Sequence, residues 1–241
     1  MSLVFNYSFA EEATKTADEE NELEETNEVF LEELVEDYEE IPGFFITFRD
    51  PETNQIYLKV DKDQLKKEFI YFAHTLNSVV STGKVKGSYL DKGIIQIEKD
   101  YENLRFKRVL TNYTFEENNP LKRSEGANTS DSTFAVLPIK GKTKDKDGYL
   151  VEITQLLLSE SLTPIIPIFS GDYTDSRFNW GPISSNKSRI VEVYNYEMNT
   201  DFEVEYVIES PPSYEYSGED AADSRYVSVH VRYSLIEMPD N

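Results

Sequence analysis

The sequence contains no cysteine and only two histidines, His74 and His230, among its 241 residues. Without cysteine there are no disulfides, thiolate nucleophiles or thiolate metal ligands. A catalytic zinc ion usually takes three protein ligands, two or three of them histidines, and these two histidines are far apart and form no HExxH pair. Glycine-rich phosphate loops and GxSxG nucleophile elbows are also lacking. The sequence therefore predicts no catalytic residue, no metal centre and no cofactor.

Basic residues are scarce as well. The chain has 24 Lys and Arg against 46 Asp and Glu, a formal net charge of −22 at pH 7, so we predict that it does not bind the phosphate backbone of nucleic acid. No apolar run approaches the ~20 residues that span a bilayer. The amino-terminal sequence MSLVFNYSFAEEA lacks the positive region of a signal peptide. We predict no membrane span and see no signal peptide in this chain.

The acidic excess is concentrated at the start of the chain. Residues 1–40 contain 15 acidic residues and one basic residue, Lys15, a composition typical of disorder. Leu23, Phe30 and Leu34 recur at helical spacing, so residues 27–40 could instead form a short amphipathic helix that folds onto a partner. We predict an acidic, largely disordered and flexible leader over residues 1–40, followed by a β-rich domain over residues 41–241.

The β-rich domain consists of segments rich in β-branched and aromatic residues, separated by polar turns. The links are too short for helical crossovers, so the strands should pair antiparallel. Leu65, Phe69, Phe72 and Leu76 lie on one face of a helix, which predicts a principal helix near residues 64–76. The predicted class is α+β, a mainly antiparallel sheet, sandwich- or barrel-like, with that one principal helix and the flexible leader.

Three polar loops, 116–131, 169–188 and 209–223, are candidates for a binding surface. If they gather at one end of the domain, their aromatic residues could hold a peptide or a glycan. The alternative is that these aromatic residues pack against the sheet. The candidate ligand or partner residues are Tyr173, Phe178, Trp180, Tyr214 and Tyr216.

Several short segments resemble, in the same order, parts of a β-rich domain of unknown function found in large bacterial zinc-dependent metalloproteases. There the domain lies just before the peptidase domain. The segments are GFFITF (43–48), LRFKRVLTNY (104–113), FAVLPI (134–139), LVEITQLLLSE (150–160) and VSVHVRYSLIEMP (227–239). Together they fall within residues 41–239.

This resemblance implies a noncatalytic accessory domain of a zinc-dependent metalloprotease. In that family the zinc ligands and the catalytic glutamate lie on an HExxH helix, which this sequence lacks, so no catalytic or metal-binding residue carries over. The implied partner is a metallopeptidase domain, in the same chain or another, and the implied location is the periplasm or the extracellular space. A free-standing peptide- or glycan-binding module that uses the Tyr- and Trp-containing loops is the alternative.

Overall fold

The computed structural model describes residues 29–112, 130–166, 181–210, 221–223 and 225–239. Within these ranges the strands form one sheet in which every neighbouring pair is antiparallel. The elements are α1 Leu31–Leu34, β1 Glu39–Ile41, β2 Thr47–Arg49, β3 Ile56–Asp61, β4 Glu68–Ser78, β5 Tyr89–Asp100, β6 Asn103–Val109, β7 Ser132–Lys142, β8 Gly148–Glu152, α2 Thr154–Leu157, β9 Arg189–Asn195, β10 Asn199–Glu209 and β11 Tyr226–Glu237.

The strand order is β1-β2-β3-β8-β7-β6-β5-β4-β11-β10-β9, and the sheet curls into a nearly closed barrel because its edge strands β1 and β9 lie side by side. The prediction of a mainly antiparallel, barrel-like sheet is therefore confirmed.

The predicted principal helix near residues 64–76 is wrong. A single 3-10 turn precedes β4, and β4 is a central strand paired with β5 and β11. The helical spacing of apolar residues arises because β4 is hydrophobic on both faces, which hides the two-residue period of a strand. Phe69 and Tyr71 are buried in the barrel, whereas Phe72 is half-buried on its outside.

The interior of the barrel is filled by side chains from alternate positions of the strands. Along β10, Phe202, Val204, Tyr206 and Ile208 are buried, and the residues between them are half-exposed. The neighbouring strand β11 follows the same alternation. Burying each large apolar side chain contributes about 1.5–3 kcal/mol. The inside of the barrel is thus the hydrophobic core of the domain.

Side chains close the seam between β1 and β9. Asn195 Nδ2 donates to the carbonyl oxygens of Ile41 (2.9 Å) and Phe45 (2.6 Å), and Asn195 Oδ1 accepts a hydrogen bond from Thr200 Oγ1 (2.7 Å). Gly43 makes this close approach feasible, because a Cβ there would lie 2.2 Å from Asn195 Oδ1. At this seam, hydrogen bonds from the side chain of one asparagine therefore replace part of the backbone hydrogen bonding that joins paired strands.

The described part of the predicted leader, residues 29–40, packs on the outer wall of the barrel. Leu31 and Val35 bury their side chains against Phe48 and Leu150, which form a second, smaller hydrophobic cluster. This wall of the sheet is therefore covered by the chain's own α1 segment. Residues 1–28 lie outside the described residues.

Candidate functional site at the loop end of the barrel

The two ends of the barrel differ in the length of their connections. Because neighbouring strands are antiparallel throughout, every even-numbered strand ends, and the following odd-numbered strand begins, at the same end. We call this the loop end; its connections are residues 50–55, 79–88, 110–131, 153–188 and 210–225. The opposite, short-turn end has connections of two to six residues. Binding surfaces are commonly built from long loops that a rigid scaffold positions, so the loop end is the candidate site.

The five predicted aromatic residues belong to two of these connections. Tyr173, Phe178 and Trp180 fall between β8 and β9, and Tyr214 and Tyr216 fall between β10 and β11. All five lie outside the described residues. The structure brings the starts and ends of both connections to the loop end, and whether these aromatic side chains bind a ligand stays a prediction.

The first part of the β8–β9 connection enters the barrel as a plug, which we define as residues 153–166. The plug begins with α2, and Leu157, Leu162 and Ile165 are buried against the barrel core. Its backbone turns back on itself because the Glu160 carboxylate accepts hydrogen bonds from the amides of Ile165 and Ile166, both at 2.7 Å. The plug thus fills the barrel opening beneath the candidate surface.

Three tyrosines inside the barrel hold the plug through their hydroxyl groups. The Tyr71 hydroxyl donates to the carbonyl oxygen of Leu162 (3.2 Å), and the Tyr206 hydroxyl donates to that of Leu157. The Tyr233 hydroxyl lies 2.7 Å from that of Tyr206. Burial raises the pKa of all three tyrosines well above the ordinary value. These groups act as neutral hydrogen-bonding anchors at neutral pH.

Arg108, on β6, ties the plug to the barrel from a second side. Its guanidinium donates to the carbonyl oxygen of Leu162 (3.0 Å), pairs with Asp91 (2.8 Å) and lies over the ring of Tyr71, 5.3 Å from the centroid. Thr163 Oγ1 donates to the same Asp91 carboxylate at 2.9 Å. Two strands, a tyrosine ring and the plug therefore meet at one guanidinium.

Replacing Arg108 by Met should lower the free energy of unfolding by about 2 kcal/mol, because the Leu162 carbonyl and the Asp91 carboxylate lose a charged donor in a half-buried place. Arg105, on the same strand, pairs with Asp100 where both side chains are about 40% exposed. Arg105→Met should therefore cost less than about 1 kcal/mol. Guanidinium unfolding curves measure both variants, and equal losses would contradict a special role for Arg108.

A small cavity of about 20 Å³ lies between the plug and the barrel wall. Leu58, Phe106 and Phe134 line it on the barrel side, and Leu156 and Leu162 line it on the plug side. Its volume is comparable to the space of one water molecule, and its apolar walls offer such a water no hydrogen bonds. This cavity is therefore a packing defect. A partner would find a larger area on the surface of the loop end than in this cavity.

The β4–β5 connection belongs to that surface, and the structure describes its whole backbone. We call residues 79–89 the hairpin arm. Three of its side chains are apolar or aromatic and face solvent: Val80 is 70% exposed, Val85 49% and Tyr89 75%. Several exposed apolar side chains on one connection are a feature of interaction surfaces.

Away from the loop end, the outer wall formed by β9, β10 and β11 carries a network of half-buried charges, the ionic face. Glu203 accepts a hydrogen bond from Arg232 (3.3 Å), and Glu205 accepts one from Arg189 (2.8 Å). His230 lies between the two carboxylates, 3.9 Å from Glu203 and 3.6 Å from Glu205. Burial raises the pKa of Glu205, but the hydrogen bonds it accepts and nearby positive charge outweigh that effect and lower it.

The second histidine lies on the same outer wall, since His74 on β4 pairs in register with Arg232 on β11. Burial and the Arg232 guanidinium lower the pKa of His74, so its imidazole is neutral at pH 7. Its Nδ1 atom is buried and has no hydrogen-bond partner among the residues that the structure describes. Across the described ranges, no group of three or more His, Asp or Glu side chains is placed to hold a metal ion. The geometry favours a structural role for the ionic face.

Sequence reasoning did not bring the two histidines together. The alternation Val229-His230-Val231-Arg232 places His230 and Arg232 on one face of a strand and was a usable signal. The position of His74 was hidden by the wrong helix, because a helix would not have been aligned residue by residue with β11.

Comparison with known protein families identifies a domain in this chain. The family model of DUF5117, a domain of unknown function, matches residues 87–241, which include β5 to β11 and most of the loop end. No curated protein and no solved structure matches the chain. In the part of the chain that the structure describes, no helix is long and apolar enough to cross a membrane. The chain belongs to the DUF5117 family.

Proposed function

We propose that this chain is a noncatalytic accessory domain of a zinc-dependent metalloprotease, which packs on a peptidase domain and shapes access to its cleft. The observation that carries the proposal is the asymmetry of the barrel: a filled core closes its interior, while all of its long connections emerge at one end. Such a scaffold is suited to presenting a surface to another protein. The ordered resemblance to the domain that precedes the peptidase in such proteases supplies the identity of the partner, and with it a periplasmic or extracellular location.

The contact surface in this proposal is the loop end, and the hairpin arm is its described apolar part. An interface of ordinary size buries about 800 Å² on each partner, and exposed aromatic side chains near its centre commonly carry much of the binding energy. Tyr89 is such a side chain, and it opens β5 at the loop end. Tyr101, which is 87% exposed, follows β5 at the short-turn end. The two tyrosines form a matched pair for an experiment.

The test mixes this chain with a peptidase domain of the resembling class and measures complex formation by calorimetry and cleavage of an unfolded protein substrate. We expect a stoichiometric complex and a changed cleavage rate. Tyr89→Asp should weaken the complex at least tenfold, and Tyr101→Asp should leave it unchanged. Absence of both binding and any effect on cleavage would refute the proposal, and loss of binding in Tyr101→Asp alone would move the interface to the short-turn end.

The second candidate function is a free-standing module that binds a peptide or glycan. The observation that favours it is that both connections carrying the five predicted aromatic residues begin and end at the loop end. Trp180 is the single tryptophan of the chain, so its fluorescence reports on this region alone. Titration with oligosaccharides and extended peptides should give a saturable shift in Trp180 emission if this function is correct, and an unchanged spectrum would count against it.

A further inference from the structure

The hairpin arm has a fixed shape. Thr82 Oγ1 donates to the carbonyl oxygen of Val79 (2.7 Å), and the amide of Gly83 donates to that of Val80 (2.9 Å). Gly83 and Gly87 both adopt positive φ angles, +71° and +81°, a conformation in which glycine carries no steric cost. The backbone that carries the exposed side chains of the arm is therefore fixed by its own turns.

The arm also carries positive charge in a strongly acidic protein. Among the described residues, Lys84 and Lys86 have no carboxylate within ion-pair distance, and neither has Lys92, which lies three residues beyond the arm on β5; most of the other described basic residues have one. Burial lowers the pKa of Lys84, and the charge of Glu160 opposes that effect. Lys66 and Lys140 also lack a carboxylate partner, but each stands alone. The hairpin arm thus combines a cluster of lysines with exposed valines and a tyrosine.

The first 28 residues of the same chain have the complementary composition. Residues 11–28 contain nine acidic residues and one lysine, and residues 3–9 contain Leu3, Val4, Phe5, Tyr7 and Phe9. An apolar head followed by an acidic body matches a surface of exposed valines bordered by lysines. We propose that residues 1–28 dock on the hairpin arm and cover it.

The tether makes a weak contact sufficient. Residue 29 is fixed to the barrel because the amide of Lys142 donates to the carbonyl oxygen of Val29 (3.1 Å) near the short-turn end. A twelve-residue strand such as β5 is about 40 Å long, and 28 extended residues span up to about 95 Å, so the segment reaches the arm. A short covalent tether gives an effective concentration in the millimolar range, at which a contact too weak to detect between separate molecules is well populated.

This contact has a consequence for the loop end that does not depend on which partner binds there. A docked segment occupies Val80, Val85 and Tyr89, so any partner that uses the arm must displace it. The attraction between carboxylates and exposed lysines is screened by salt, with a Debye length of ~10 Å at 0.1 M. The cover should therefore loosen as ionic strength rises.

The absence of cysteine permits a direct test on the full chain, because a single introduced cysteine carries a unique nitroxide label. With the label at Ser8→Cys, the amide resonances of residues 79–89 should lose more than half of their intensity, and those around Tyr101 should keep theirs. Lys84→Glu together with Lys86→Glu should restore the signals, and so should 0.5 M salt. Lys140→Glu, a matched charge reversal elsewhere, should not.

A second variant is needed because charge reversal at the half-buried Lys84 could restore the signals simply by unfolding the arm. Val80→Asp, at a 70% exposed position, should also restore the signals. Uniform broadening at both ends of the barrel, or broadening that survives both the lysine reversals and Val80→Asp, would overturn the proposal. So would broadening of a labelled-isotope chain by a separate nitroxide-bearing chain, because the contact would then lie between two copies.

Discussion

Between pH 10 and pH 11 the free energy of unfolding should fall by about 3 kcal/mol, a loss far steeper than ordinary surface titration produces. The cause is the group of three buried tyrosines that anchors the plug, Tyr71, Tyr206 and Tyr233. Each is at most 1% exposed, and burial raises the pKa of each well above the ordinary value of 10.0.

The sign follows from proton binding in the two states. Below pH 10 both the folded and the unfolded chain keep these phenol protons, so the tyrosines add no pH dependence. Above pH 10 the unfolded chain releases them while the folded chain retains them, and stability falls wherever the unfolded state binds fewer protons. Because half of the phenols of the unfolded chain are already ionised at pH 10, each tyrosine contributes about 1 kcal/mol between pH 10 and pH 11. The three together give the expected loss.

Guanidinium unfolding at pH 9, 10 and 11 measures this effect. Tyr233→Phe keeps the ring and removes the titrating group, so it should reduce the loss between pH 10 and pH 11 by about 1 kcal/mol. Tyr101→Phe removes a phenol that is 87% exposed and should leave that loss unchanged. Tyrosinate absorbance from all 16 tyrosines at pH 11 in the folded protein would contradict the prediction.

The strand character of β10 and β11 is easy to predict from the sequence because one face of each strand is partly exposed to solvent. The segments 202–208 and 226–235 are rich in β-branched and aromatic residues and lie within β10 and β11, where a buried residue alternates with a half-exposed one. The prediction for β4 was wrong for the opposite reason. Ile70 and Phe72 on its outer face are as apolar as Phe69 and Tyr71 on its inner face. The two-residue period identifies a strand when its two faces differ in polarity. It does not identify a central strand that is apolar on both faces.

Closure of the barrel and the make-up of the loop end depend on contacts that no local pattern contains. Asn195 bonds to the backbone at Ile41 and Phe45, roughly 150 residues earlier in the chain. The plug is held by the hydroxyl groups of Tyr71 and Tyr206, which bond to backbone carbonyls 91 and 49 residues away in the chain. The gathering of the long loops at one end, by contrast, follows from antiparallel pairing and short links, which the sequence did indicate.

The second prediction with a large expected effect concerns Asn195, at the seam between β1 and β9. Asn195→Asp changes one amide group to a carboxylate of nearly the same shape, and it should lower the free energy of unfolding at pH 7 by about 3–5 kcal/mol. The carbonyl oxygen of Phe45 loses the hydrogen bond from Nδ2, and that of Ile41 keeps only the long bond from Thr47 Oγ1 (3.4 Å). The new carboxylate oxygen then faces those two carbonyl oxygens in the part-buried seam, where repulsion is weakly screened.

The pH dependence of this variant separates repulsion from simple loss of a hydrogen bond. Protonating the new carboxyl group at pH 4 supplies a donor again, so part of the loss relative to the parent should be recovered there, whereas Asn195→Ala should show the same deficit at both pH values. Asn186→Asp places the same change in an exposed turn and should cost less than about 0.5 kcal/mol. A small, pH-independent loss in Asn195→Asp would mean that the barrel remains closed without this side chain, and that the backbone bond from Phe44 to Tyr196 (2.7 Å) is the stronger part of the seam.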